Sequence, residues 1–125
     1  HSDPPGPTGE AVTVRRVVAR LGRGAPDDAL RALVGVPFLL GEVEPMNRIG
    51  WDRTDTVQLS KATHMMTKLA LEGDELWADV TPVRSALGLQ VEPFLDLMAF
   101  SPRVVTDRLS GRQFVSAIDA YLPME

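Results

Sequence analysis

The sequence predicts an α+β fold, mostly antiparallel β-sheet curled toward a barrel, with one or two short helices. Two observations carry that prediction. Val57 to Pro82 holds two arms on either side of a glycine-bearing turn, Glu72-Gly73-Asp74, and the second arm alternates strictly between apolar and polar residues. Further short β-rich runs flank this hairpin, each bounded by turn residues, and only one segment carries a full helix-start signal. A chain of 125 residues without cysteine is long enough to bury a core without staples.

His1 to Glu10 is rich in proline and glycine and reads as a flexible tail ahead of a single domain over residues 11–125. Ala11 to Leu21 is valine-rich and predicts a strand, bulged at Arg15-Arg16. Those arginines fit a solvated strand edge better than a nucleic-acid patch. Pro26-Asp27-Asp28 opens a helix, with proline at its first position and carboxylates on the positive end of its dipole. Leu30, Leu33 and Val34 form its apolar stripe, and Gly35 closes it. Val36 to Leu40 predicts a buried strand. Met46 to Thr56 has no period and reads as a long loop, a kind that tends to be functional or mobile.

In the hairpin's first arm, Gln58 to Leu71, alternation puts Met65, Thr67, Leu69 and Leu71 on one face and His64, Met66, Lys68 and Ala70 on the other. In the second, Leu76, Ala78 and Val80 share the buried face. An amphipathic helix over Ser60–Leu71 satisfies propensity equally well. The turn followed at once by a period-two arm decides for the hairpin. Pro82 to Pro93 is irregular, with a short helical turn near Val83 to Leu87. Leu95 to Val105 is extended but broken by Ser101-Pro102-Arg103, which implies a sheet edge or a bulge. Leu109 to Arg112 is a tight turn. Gln113 to Tyr121 is the closing strand, with Phe114, Ser116, Ile118 and Ala120 opposite Val115, Ala117, Asp119 and Tyr121.

Composition excludes several functions. The net charge of −4 argues against sequence-independent binding of nucleic acid. Without cysteine there is neither a disulfide framework nor a thiolate metal site, and two histidines, one of them His1, make a histidine-built metal centre improbable. No cofactor is implied. No apolar run reaches membrane-spanning length and no signal peptide is visible, which points to a reducing cytoplasm or a particle assembled there.

The candidate site residues are few. His64 is the sole internal histidine, and a lone strand histidine is more often a hydrogen-bonded, partly buried residue than a catalyst. Glu42, Glu44, Asp52 and Asp55 could hold a divalent cation, but their spacing matches no calcium loop, and a solvated loop is the simpler reading. Ser101 sits where a strand is interrupted, and such breaks can aim a side chain out of a sheet.

The order of these pieces resembles the prohead maturation proteases of tailed phages, which share the assemblin-like fold of the herpesvirus capsid proteases. The resemblance runs through Leu40-Gly41-Glu42-Val43-Glu44-Pro45, then Ala62-Thr63-His64-Met65-Met66-Thr67-Lys68-Leu69 with Glu72-Gly73-Asp74. It continues in Phe100-Ser101-Pro102-Arg103 and Ala117-Ile118-Asp119-Ala120-Tyr121-Leu122-Pro123, so it covers Phe38 to Pro123. It implies Ser101 as nucleophile and a general-base histidine within Gly41–Pro45. No histidine stands there, and Glu44 occupies its place or the neighbouring one. Serine attack needs a base with a pKa near the working pH, and an ordinary glutamate is too weak. Thr63 also replaces the serine that the family pattern places before His64.

Three readings follow. The resemblance implies a capsid-associated phage or prophage protein of virion or host cytoplasm, catalytically degenerate and structural, with capsid or other virion proteins as partners and self-association as a further option. Its active counterpart is a serine endopeptidase that trims capsid and scaffold proteins, with Ser101 as nucleophile, His64 as substitute base and Asp119 as orienting acid. The third is a small bacterial β-rich binding module. The missing histidine favours the first. Self-processing proteases usually carry a further C-terminal segment, and Glu125 follows the last strand almost at once, which weighs on the same side.

Overall fold

The computed structural model describes residues 12–45, 49 and 51–123. The tail expected over residues 1–10 lies outside them, as do Met46, Asn47, Arg48 and Gly50 of the aperiodic segment.

Six strands and two short helices make up the described chain: β1 (Val14–Arg20), α1 (Asp27–Arg31), β2 (Leu39–Gly41), β3 (His64–Glu72), β4 (Glu75–Pro82), α2 (Ala86–Val91), β5 (Ala99–Thr106) and β6 (Gln113–Tyr121). One sheet has the order β1-β4-β3-β2 and the other is the β5-β6 hairpin, with antiparallel ladders throughout. The class is therefore α+β, but the ladders leave two sheets and no closed barrel. Among the described residues the sheets share one backbone bridge, the parallel pair Val43 and Ala120. Val18, Leu30, Met66, Leu76, Val80, Leu95 and Ile118 fill the core between them.

Several elements differ from the sequence expectation for physical reasons. The β1 bulge falls between Val17 and Ala19, not at Arg15-Arg16. Alternation survives the arginine pair because Arg15 reaches Asp79 across the ladder at 2.9 Å, while Arg16 donates to the Leu95 and Met98 carbonyls at 2.5 and 2.8 Å. Helix α1 is only five residues long and leaves Val34 47% exposed. Turns from Ala32 onward end in Gly35, whose φ of 89° suits glycine. The buried strand expected over Val36–Leu40 shrinks to Leu39–Gly41 and leaves Phe38 exposed. Pro37 has no N–H for a ladder there.

In β4, Leu76, Ala78 and Val80 are fully buried, as expected. In β3 the buried set is His64, Met66 and Leu69, which mixes the two faces assigned by simple alternation. The cause is a bulge: Lys68 sits at φ 52° and the β3–β4 register slips between Thr67 and Ala70, so parity inverts there. Helix α2 begins at Ala86, capped by the Ser85 side chain, which accepts from the Gly88 N–H at 3.1 Å. It runs later than the turn expected over Val83–Leu87, and Leu95 lies in a turn after a 3-10 segment over Glu92–Phe94. Strand β5 therefore starts only at Ala99. Pro102 lies on an edge strand whose ladder is bulged at Arg103/Val104, so both expectations from the proline hold.

Candidate functional site

Three of the sequence-identified residues, His64, Glu42 and Asp119, meet at the joint between the two sheets. Two backbone bonds make its parallel bridge: Ala120 N–H to Glu42 O at 3.0 Å and Glu44 N–H to Ala120 O at 2.8 Å. A regular parallel ladder would next take the Glu42 N–H to Ile118 O. Side chains intervene instead. Asp119 Oδ1 accepts the Glu42 N–H at 3.0 Å, and Ile118 O accepts from His64 Nε2 at 2.8 Å. The two sheets are thus stapled by the histidine and the aspartate that a protease reading would make catalytic.

His64 is completely buried on β3. A carbonyl can only accept, so its bond with Ile118 fixes the proton on Nε2. The Thr63 hydroxyl lies 2.8 Å from Nδ1. Burial lowers the His64 pKa, opposed by the Ile118 bond and the Asp119 charge, and the net direction is down. The ring is therefore neutral, and Nδ1 lies against the Thr63 hydroxyl, whose single proton has a second acceptor in Gly41 O at 3.2 Å, so both nitrogens are engaged. Gly41, the register partner of His64, makes this possible. A Cβ at that position would collide with both Ile118 O and His64 Nε2.

Asp119 faces Arg103 on the neighbouring strand. Arg103 Nε donates to Oδ2 at 3.0 Å and Nη2 to Oδ1 at 2.7 Å, a two-point pair. Nη2 also reaches Glu42 Oε2 at 3.2 Å, and Nη1 donates to Thr54 O at 2.8 Å. Burial pulls the guanidinium pKa down, but hydrogen bonds and charge from Asp119, then Glu42, more than offset it. Arg103 holds the 51–56 segment against the β6 strand through that Thr54 carbonyl. Glu42 is buried in this cluster and not in a solvated loop, whereas Asp52 and Asp55 are exposed. Its burial was hidden because nothing local in Gly41–Pro45 reveals an arginine 61 positions away.

Ser101 is exposed on β5, directly opposite Asp119 in the ladder. His64 does not approach it from that side. The imidazole packs edge-on against Phe100, with ring centroids 6.0 Å apart at 70°. Phe100 and Ser101 are consecutive strand residues, so their side chains leave opposite faces. Asp119 shares the Ser101 face, but its carboxylate oxygens bind Arg103 and the Glu42 N–H, not His64. Glu44 is half-buried beside the bridge. Ser101 on β5, His64 on β3 and Asp119 on β6 thus form no hydrogen-bonded relay among the described residues.

This arrangement, two antiparallel sheets joined at a short parallel bridge, has a counterpart in fold among solved structures. It is similar to the structure of the bacteriophage T4 capsid assembly protease, gp21, with a TM-score of 0.62 at 12% identity, over 93% of this chain and 92% of that chain. At that identity the likeness is one of fold. No protein-family model matches the chain, and no curated protein matches it significantly in sequence.

Proposed function

We propose that this chain is a capsid-associated protein of a tailed phage or prophage, catalytically degenerate, with a structural role in head assembly. Capsid or other virion proteins are its partners, in the virion or the host cytoplasm. The observation that carries the reading is His64: neutral, buried, bonded at both nitrogens and packed on the Phe100 side of β5. Without a base, the Ser101 hydroxyl keeps its proton, and loss of one member of such a constellation costs several orders of magnitude in rate. Asp119 and Glu42 serve Arg103. The likeness in fold to a capsid assembly protease supports the capsid setting.

One observation favours the active-protease reading: Ser101 is exposed and its hydroxyl makes no hydrogen bond among the described residues. A fluorophosphonate probe separates the two. No labelling of the folded chain, together with co-sedimentation on procapsid shells, is the expected result. Labelling that disappears in Ser101→Ala overturns the structural reading.

A further inference from the structure

The β5–β6 hairpin ends in a turn, Asp107 to Arg112, that lies apart from the joint between the sheets. Its backbone closes twice, Asp107 N–H to Arg112 O and Gly111 N–H to Asp107 O, both at 2.8 Å, with Gly111 at φ 74°. Asp107 braces it from within. Its carboxylate accepts the Ser110 hydroxyl at 2.6 Å and the Leu109 and Ser110 N–H groups at 3.4 and 3.3 Å. This braced turn holds Leu109 98% exposed, more than any other large apolar residue described. Turn chemistry asks for no leucine there. Arg108 and Arg112 stand exposed nearby, and neither guanidinium makes an ion pair or hydrogen bond among the described residues. Beside this knob lies a hole. A hollow of about 550 Å³ opens between the same turn and α1, lined by Ser110 and Gly111 but not by Leu109. Pro26, Ala32 and Phe114, all outside the core, give it apolar walls. Asp28 also lines it, with a fully exposed carboxylate whose sole ion pair among the described residues is with Arg31 at 3.6 Å.

We propose that this face pairs two copies of the chain about a two-fold axis, each inserting Leu109 into the other's hollow. The turn that carries the knob also forms one wall of the hole, so a two-fold rotation sets each knob opposite a hole. A contact of that kind is self-complementary and closes at two copies. Charge selects the same occupant. Arg108 travels with the knob, and Asp28 waits at the hole, where its exposed bond to Arg31 exchanges easily for a stronger partner. The turn is already braced by Asp107, so little has to be ordered when the copies meet. A nucleic acid could use the arginines but would leave the apolar hollow unfilled. The contact is small, which makes the dimer a weak one. It forms whether or not Ser101 is a nucleophile, since no residue of the joint takes part.

Sedimentation equilibrium of the full chain over a range of concentrations tests it. A monomer–dimer equilibrium is expected, weakened about tenfold or more by Leu109→Asp. Leu109 is exposed, so this variant should keep the parent's melting curve and lose only the dimer. Arg108→Asp and Asp28→Lys should each weaken the dimer alone. Combined in one chain they restore the opposite charges and should bring affinity back to within about threefold of the parent. Leu89→Asp, at an exposed leucine on α2, should leave the dimer unchanged. A chain that stays monomeric throughout, or association that continues past two copies, overturns the proposal. So does a dimer indifferent to Leu109→Asp, a double charge reversal that fails to restore it, or a dimer lost in Leu89→Asp instead.

Discussion

Arg103 meets Asp119 side-on, Nε to Oδ2 at 3.0 Å and Nη2 to Oδ1 at 2.7 Å, with both side chains almost closed to solvent. The ladder explains the geometry. Arg103 pairs with Ala117 and Ser101 with Asp119, so Arg103 reaches diagonally to an aspartate on its own face. Buried pairs of this kind add little net stability over an apolar substitute, but removing one partner strands a charge. Here the loss of Arg103 takes the cation from the Glu42 carboxylate and the Thr54 carbonyl, and leaves buried Asp119 with only the Glu42 N–H and Arg53 Nη1 at 4.0 Å. Arg103→Ala is therefore expected to destabilise by about 3–5 kcal/mol in urea unfolding. A loss below about 1 kcal/mol would show that the cluster rearranges freely.

His64 makes stability depend on pH. Its folded pKa is depressed by burial below the ordinary value of 6.5. The unfolded chain therefore binds the proton first on acidification, and the sign follows: stability is full above about 6.5 and declines as pH falls toward the folded pKa. The slope is limited to one proton, about 1.4 kcal/mol per pH unit. Thermal melting between pH 7.5 and 5.5 should show this decline in the parent and a flatter profile in His64→Gln. Equal slopes would assign the effect to other groups.

How much of this could be read from sequence follows from the range of each interaction. The β4 face Leu76, Ala78, Val80 and the closing strand Gln113–Tyr121 were legible because period-two alternation and turn glycines are local signals. The β3 face was not, since nothing in Thr67-Lys68-Leu69 announces a residue in the left-handed region. Val36–Leu40 looked like a buried strand on composition, yet only three residues find a ladder partner. At the site, local signals (a lone internal histidine and a serine at a strand break) single out His64 and Ser101 as residues to weigh. That they stand on opposite faces of β5 depends on a 36-residue separation in sequence between His64 and Phe100, which no pattern encodes. Glu42 was hidden for the same reason, its partner lying on a strand beyond the hairpin.

Lys68 supplies a test in which side-chain burial plays almost no part. Its side chain is 79% exposed, yet its backbone sits at φ 52°, where a Cβ is strained. The strain persists because the bulge lets both Met66 and Leu69 enter the core, against opposite demands of a regular strand. The Lys68 carbonyl is also tied down, accepting from Arg15 Nη1 at 3.1 Å. Glycine adopts this conformation without strain, whereas a β-branched residue resists it. Lys68→Gly should therefore be neutral or stabilising by up to about 1 kcal/mol, and Lys68→Val should cost about 1–2 kcal/mol. The ion pair of Lys68 Nζ with Asp79, at 4.0 Å and exposed, is lost in both variants and cancels in their difference. Chemical denaturation of the pair reads that difference directly. Indistinguishable midpoints would mean that the ladder runs straight through Lys68 and that Met66 and Leu69 reach the core by some other route.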